Sequence, residues 1–179
     1  TGFLDDTWEF DGVNWVQIVP AAAPAPRRWS AMVFDPTLGK CVLFGGSALG
    51  TAFFGDTWTW DGATWLQLAP AASPGPRARG WLEYDTIRNR ALYFGGKNST
   101  ANTALADTWS WNGTTWTLLP TATLPGWNGG SGLIAYGMAF DPRRNRMVLV
   151  GGTRTTASVS DATYEFDGAD WLLRGAGSL

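Results

Sequence analysis

Residues 56–65 of the chain read DTWTWDGATW, and this stretch decides the fold because it recurs. Residues 6–15 read DTWEFDGVNW, residues 107–116 read DTWSWNGTTW, and residues 161–171 read DATYEFDGADW. The copies start 50, 51 and 54 residues apart along the chain. Self-similarity at a nearly fixed period of this length is typical of proteins built from repeated supersecondary units.

Each unit is predicted to form four short β-strands and almost no helix. The first strand is expected at 30–35, 80–85 and 137–141, followed by a turn with Gly or Asn at an equivalent place, where one residue is left-handed. The second strand is an apolar run that ends in two glycines. The third is the aromatic stretch, which alternates with period two, and the fourth starts at the second Trp after an Asp-Gly or Asn-Gly turn.

At these residues the chain resembles the kelch-repeat family, in the tryptophan-rich form of bacterial secreted proteins. The resemblance rests on the glycine pair, the aromatic residue of strand three and the Trp of strand four. These residues are Gly45, Gly46, Trp58, Trp65, Gly95, Gly96, Trp109, Trp116, Gly151, Gly152 and Trp171. The resemblance implies an all-β fold, the β-propeller, in which four-stranded blades form a ring with strand one nearest the axis. It implies little about function, because one fold serves many.

The repeat predicts that residues 1–179 form one propeller segment of about three and a half blades. The half blade covers residues 1–20, and the full blades cover 27–70, 77–120 and 133–175. A closed propeller needs about four to eight blades, and an open arc leaves unpaired strand edges. Two explanations remain open: the segment belongs to a longer propeller, or a second copy of the chain helps to close the ring.

The composition argues against several classes of function. With 13 basic and 15 acidic residues the net charge is −2, which gives no electrostatic basis for binding nucleic acid. No apolar run approaches the ~18 residues of a membrane-spanning helix, so membrane insertion is not expected. The chain has one Cys and no His, the commonest general base and transition-metal ligand. We therefore predict no metal, no cofactor and no catalytic residue in this segment.

Residues that recur once per unit are predicted to be structural. The repeated Trp residues are expected to pack between neighbouring sheets, where the indole N–H satisfies an acceptor. The Asp that precedes strand three, at positions 6, 56, 107 and 161, is expected to cap a turn with its side chain. Arg27 and Arg77, at equivalent places, are expected to pair with repeated acids between blades.

Candidate binding residues are those that depart from the repeat on strand one. Two units carry Val33 and Ala139 at a position where the other unit carries Glu83. Strand alternation places Glu83 on the same face as Trp81. Arg79, two residues before Trp81, is a candidate partner for that carboxylate. Glu83 is thus predicted either to accept hydrogen bonds from a ligand or to be a solvated or Arg-paired carboxylate.

Two further aromatic residues, Trp29 and Trp127, lie in the segments that lead into strand one. Their place predicts a position at or near one face of the ring. Aromatic side chains there stack on sugar rings or on a protein partner. The alternative is a lid that covers the junction between two blades.

These observations favour a non-catalytic binding or structural module, extracellular or on the cell surface, that presents its loops to a glycan or a protein. One alternative is part of a larger kelch-propeller enzyme, an oxidase or a sugar-processing enzyme, with its catalytic residues outside this segment. Another is a subunit of a surface assembly or filament.

Overall fold

The computed structural model describes residues 2–48, 52–98, 104–126, 132–134, 136–153 and 159–175, and these form an all-β fold. Fourteen antiparallel strands make four sheets. Sheet 1 contains β1 (Thr7–Phe10) and β2 (Trp15–Ile18). Sheet 2 contains β3 (Ala31–Asp35), β4 (Lys40–Phe44), β5 (Thr57–Trp60) and β6 (Trp65–Leu68). Sheet 3 contains β7 (Trp81–Asp85), β8 (Arg90–Phe94), β9 (Thr108–Trp111) and β10 (Trp116–Leu119). Sheet 4 contains β11 (Gly137–Asp141), β12 (Arg146–Val150), β13 (Thr163–Phe166) and β14 (Trp171–Gly175).

The predicted fold class is confirmed. Each four-stranded sheet pairs its strands in sequence order, and within the described residues there is no helix. The first strands β3, β7 and β11 of the three large sheets lie side by side. This arrangement is consistent with a propeller-like fragment. No described helix is long and apolar enough to cross a membrane.

The predicted turns form where the sequence placed them. After the first strand of each large sheet, Gly39, Asn89 and Asn145 adopt left-handed φ values of 65°, 50° and 53°. Glycine and asparagine tolerate this region better than other residues. In the hairpin between β5 and β6, the Asp61 carboxylate accepts the backbone N–H groups of Ala63 and Thr64 at 3.1 and 2.9 Å.

The Trp that opens strand four joins one sheet to the preceding one. The indole N–H of Trp116 donates to the Thr57 hydroxyl of sheet 2 at 3.0 Å. The same bond links Trp65 to Thr7 and Trp171 to Thr108, at 2.9 and 2.8 Å. All three tryptophans are buried, so the packing predicted for them between sheets is confirmed. The same prediction is wrong for Trp8 and Trp15 of sheet 1, which are 47% and 65% exposed.

The acid before strand three does not cap a turn, which corrects the sequence-based expectation. Asp56 accepts two bonds from the Arg27 guanidinium, at 2.8 and 2.9 Å, and one from the Trp58 indole at 2.6 Å. Arg77 and Asp107 form the equivalent pair at 2.7 Å. Each pair lies within one sheet unit rather than between two, because the Arg that leads into strand one reaches the start of strand three.

Sheet 4 replaces that ion pair with two apolar residues. The backbone bond that Gly45 makes to the Asp56 carbonyl is made by Gly151 to the carbonyl of Ala162. Ala162, and not Asp161, therefore occupies the acid's position, and Leu133 occupies the position of the arginine. Both are buried in the core between sheets 3 and 4. Replacing an Arg–Asp pair by well-packed apolar residues is often energetically neutral.

The glycine pair lets the chain of the next unit approach closely. Gly45 has a φ of +68°, and a Cβ there would lie 2.5 Å from the Arg77 carbonyl oxygen. The neighbouring N–H of Gly46 donates to that same carbonyl at 2.9 Å. A larger residue at position 45 would push the two units apart.

Candidate binding site at the start of the first strands

The candidate site lies where the chain turns into β3 and β7. Trp29 and Arg79, at equivalent places before these strands, have left-handed φ values of 58° and 64°. The Arg79 N–H donates to the Trp29 carbonyl at 2.9 Å, so the two segments run side by side. The other described non-glycine residues with positive φ are turn asparagines. Backbone strain of this kind clusters at functional sites.

Two guanidinium groups stack on the ring of Trp29. The Arg28 and Arg79 guanidinium carbons each lie 3.7 Å from the Trp29 ring centre. Arg28 also lies over the Phe3 ring, with its guanidinium carbon 4.5 Å from that ring centre. Cation–π contacts of this type contribute about 0.5–1 kcal/mol each at exposed positions. The stack fixes the direction of the Arg79 side chain.

A cavity of about 310 Å³ opens beside this stack. Its lining residues are Trp29, Ser30, Arg79, Gly80, Trp81 and Tyr136. Trp29 is 40% exposed and Trp81 is 41% exposed, so aromatic surface is available to a ligand. A cavity of this size is at the lower end of the range for small-molecule sites.

Trp81 stands at a position where the other units have small residues. The first residue of β7 is Trp81, whereas β3 starts at Ala31 and β11 starts at Gly137. Gly80 beside it has no room for a side chain, since a Cβ there would lie 2.1 Å from the Tyr93 hydroxyl oxygen. The unit thus combines one large exposed ring with a neighbour that cannot cover it.

Tyr136, the residue before β11 of sheet 4, holds the backbone of Trp81. Its hydroxyl accepts the Trp81 N–H at 3.2 Å and donates to the Phe94 carbonyl oxygen. Burial raises the pKa of Tyr136 well above its usual value, so this hydroxyl keeps its proton and its donor role. The start of β7 is therefore fixed by a neighbouring sheet.

Glu83 lies on β7, two residues beyond Trp81, and is partly buried. Burial raises the pKa of Glu83, while hydrogen bonds from the Tyr84 backbone and the Trp81 side chain partly oppose that shift. The expected Arg79–Glu83 ion pair is not formed, because the Arg79 guanidinium stacks on Trp29 instead. Glu83 is an acceptor near the site, without a cationic partner among the described ion pairs.

The two arginines at the site differ in their pairing from the arginines just before them in the chain. Within the described part of the chain, neither Arg28 nor Arg79 forms an ion pair with a carboxylate. By contrast, the equivalent-looking Arg27 and Arg77, one or two residues earlier, are both bonded to aspartates. Two guanidinium groups that pair with no carboxylate of the described residues therefore lie next to exposed tryptophan.

The structure brings together three of the five predicted binding residues, Trp29, Arg79 and Trp81, at one cavity. Glu83 lies on the same strand as Trp81, two residues further along. Trp127 lies outside the described residues. Sequence reasoning missed Arg28 and Tyr136. Tyr136 breaks the repeat at the position of Ser30 and Gly80, and that departure was the available indication.

The described residues contain no group of three or more His, Cys, Asp or Glu side chains able to hold a metal ion.

In comparisons with known proteins, no family model matches this chain, and no curated protein matches it significantly.

Proposed function

We propose that this chain is a non-catalytic binding module that holds a sugar ring of an extracellular or cell-surface glycan against Trp81. The observation that carries the proposal is the exposed Trp81 ring at a cavity, at a position where the repeat otherwise has Ala or Gly. An aromatic face offers a large, rigid apolar surface at little cost in side-chain entropy.

Polar groups around the ring suit a sugar. Arg79 supplies donors, Glu83 supplies an acceptor, and Ser30 supplies a hydroxyl that does both. Small-ligand sites commonly combine an apolar surface with a few such groups that fix orientation. The fixed backbone of Trp81, bonded to Tyr136, supports a site that is formed before the ligand arrives.

Tryptophan substitution combined with glycan binding tests the proposal. A glycan array identifies ligands, and calorimetry then compares wild type with Trp81→Ala. Loss of one stacking ring is expected to weaken binding about five- to 150-fold, by analogy with aromatic stacking on planar ligand groups. Trp8→Ala is the matched control, since Trp8 of sheet 1 is 47% exposed and does not line the cavity.

Two results would contradict the proposal. One is an array without hits beside a protein pull-down with a clear one. The other is glycan binding that Trp81→Ala leaves intact or that Trp8→Ala weakens equally.

We further propose that the chain belongs with the kelch-repeat propellers. Support comes from the four-stranded repeat, the glycine pair and the side-by-side first strands.

A second candidate function, assembly through sheet 1, is supported by the apolar surface of that sheet. Trp15 and Phe10 are 65% and 53% exposed, whereas the equivalent Trp116 and Trp111 of sheet 3 are buried under sheet 2. The natural occupant is another unit of the same kind, from the same polypeptide or a second copy. Such a unit would offer a threonine to the Trp15 indole, as Thr57 does for Trp116.

Sedimentation of the 179-residue chain tests contact between copies. Self-association that Trp15→Asp abolishes and Trp81→Asp preserves would support it. A chain that stays monomeric at all concentrations would contradict it, and the mass of the native protein then shows whether further units are present in the same polypeptide.

A further inference from the structure

We infer that the sugar bound at this site carries a carboxylate, which Arg79 holds while the ring lies on Trp81. This inference rests on the proposed glycan-binding function and goes beyond it, because it names the class of sugar. It predicts preference for uronic or sialic acid residues over neutral sugars.

The first argument is the state of the charges. The arginines with a structural role, Arg27 and Arg77, each form an ion pair with an aspartate at 2.7–2.8 Å. Arg79 lines the cavity, yet within the described residues it has no carboxylate partner. An anionic ligand would supply a carboxylate partner for Arg79.

The second argument is preorganisation. The Arg79 guanidinium stacks on Trp29, on which Arg28 also stacks. A stacked guanidinium leaves its N–H edge free in a fixed plane. That edge matches the two oxygens of a carboxylate, which it binds through two parallel hydrogen bonds. Little side-chain entropy is then lost when the ligand binds.

The third argument is the backbone at Arg79. Its φ of 64° is costly for a residue with a side chain, and it recurs at Trp29. Glycine would adopt this conformation without strain. The strained residues are the ones that build the cationic stack beside the cavity, which indicates that the side chains serve a purpose besides folding.

The geometry favours a sugar acid over an acidic peptide. The cavity of about 310 Å³ suits a single ring, and only one of the two free arginines lines it. The exposed Trp81 surface provides the apolar half of the contact. A peptide of several acidic residues would be served by an extended basic surface, whereas the whole chain has a net charge of −2.

Calorimetry with three acidic trisaccharides tests the inference. The probes contain galacturonic, glucuronic or sialic acid, each beside its methyl ester, and a hexaglutamate peptide is the comparison. We expect at least one acid to bind about ten- to a hundredfold more tightly than its ester, the range for a hydrogen-bonded charged pair. Arg79→Ala should abolish that preference, and Arg79→Lys should reduce it because lysine lacks the fork.

Arg143→Ala is the matched control, since Arg143 is exposed and has no ion pair among the described residues. The preference of this variant for acid over ester should equal that of wild type. The midpoint of urea unfolding checks that each Arg79 variant folds.

The possible failures are distinguishable. If esters bind as tightly as acids and still require Trp81, the charge inference is overturned while the glycan function stands. If the peptide binds more tightly than every sugar and requires Arg79, the partner is a protein and both proposals fail. If no sugar binds, both fail as well.

Discussion

The bond between Trp116 and Thr57 makes a quantitative prediction about what joins the sheets. Trp116 is 1% exposed, its indole N–H donates to the Thr57 hydroxyl at 3.0 Å, and its ring lies 5.0 Å from that of Phe44. Trp116→Phe removes the donor and part of the ring. We expect a loss of about 2–3 kcal/mol in the free energy of unfolding, of which about 1 kcal/mol comes from the hydrogen bond.

A double-mutant cycle separates the two contributions. Thr57→Val removes the acceptor and keeps the shape of the side chain, and the double variant removes both partners. Urea unfolding of the four proteins should give a coupling energy of about 0.5–1.5 kcal/mol between Trp116 and Thr57. The two single losses should therefore add up to more than the loss in the double variant.

Trp15→Phe is the internal control, because Trp15 opens strand four of sheet 1 but is 65% exposed. Its effect should stay within about 0.5 kcal/mol in a monomeric sample. Additive losses at Trp116 and Thr57, to within about 0.3 kcal/mol, would refute the idea that this bond stabilises the junction.

Three further predictions concern a glycine and two carboxylates. Gly45→Ala should destabilise the fold more than Gly39→Ala in urea unfolding, because both have φ near +65° but only at position 45 does a Cβ meet the Arg77 carbonyl; equal losses would contradict this. Burial favours a higher pKa for Asp56, but hydrogen bonds from arginine and tryptophan outweigh it, and the pKa is lowered. The stabilisation by the Asp56 carboxylate is therefore present above about pH 4 and is lost on further acidification. Asp56→Asn should flatten that part of the stability–pH curve; an unchanged slope would contradict this. Burial raises the pKa of Glu83, so Glu83→Gln should raise the urea midpoint at pH 7 and match wild type near pH 3.5, and the reverse order would contradict the assignment.

Much of the fold was predictable because its determinants are local. Period-two alternation marked the strands, and the Asp-Gly and Asn-Gly turns fixed where each fourth strand begins. The left-handed position after strand one was marked by Gly39, Asn89 and Asn145, residue types that tolerate it. These features depend on a few neighbouring residues, so they can be predicted from the sequence.

Contacts between distant segments were harder to predict. The Asp56 side chain was expected to cap its own turn, but Arg27, 29 residues earlier, takes it instead. The sequence does not show that Ala162 takes the position equivalent to Asp56, because Asp161 stands one residue before it and matches the repeat. Only the backbone bond from Gly151 identifies the equivalent residue.

The candidate site was predicted in its residues but not in its geometry. Glu83 was noticed because it breaks the repeat, Trp81 and Arg79 because they lie close to it in the sequence, and Trp29 because it leads into strand one. Their meeting depends on positive φ values at Trp29 and Arg79, and residues with large side chains seldom adopt these. No local pattern announces that conformation. The Arg28 contact follows from the same backbone turn, and for that reason it was missed.

The repeat divides its positions into two kinds, and the division bears on function. Residues that join sheets, such as Trp116 and its equivalents, are nearly invariant because each must fill the same space and make the same bond. The backbone before the first strand is shared by sheets 2 and 3, since Trp29 and Arg79 have one conformation and are bonded to each other. Yet the side chains there differ from unit to unit. A constant backbone with changing side chains is what a recognition surface requires, because the scaffold can keep its packing while the ligand contacts vary.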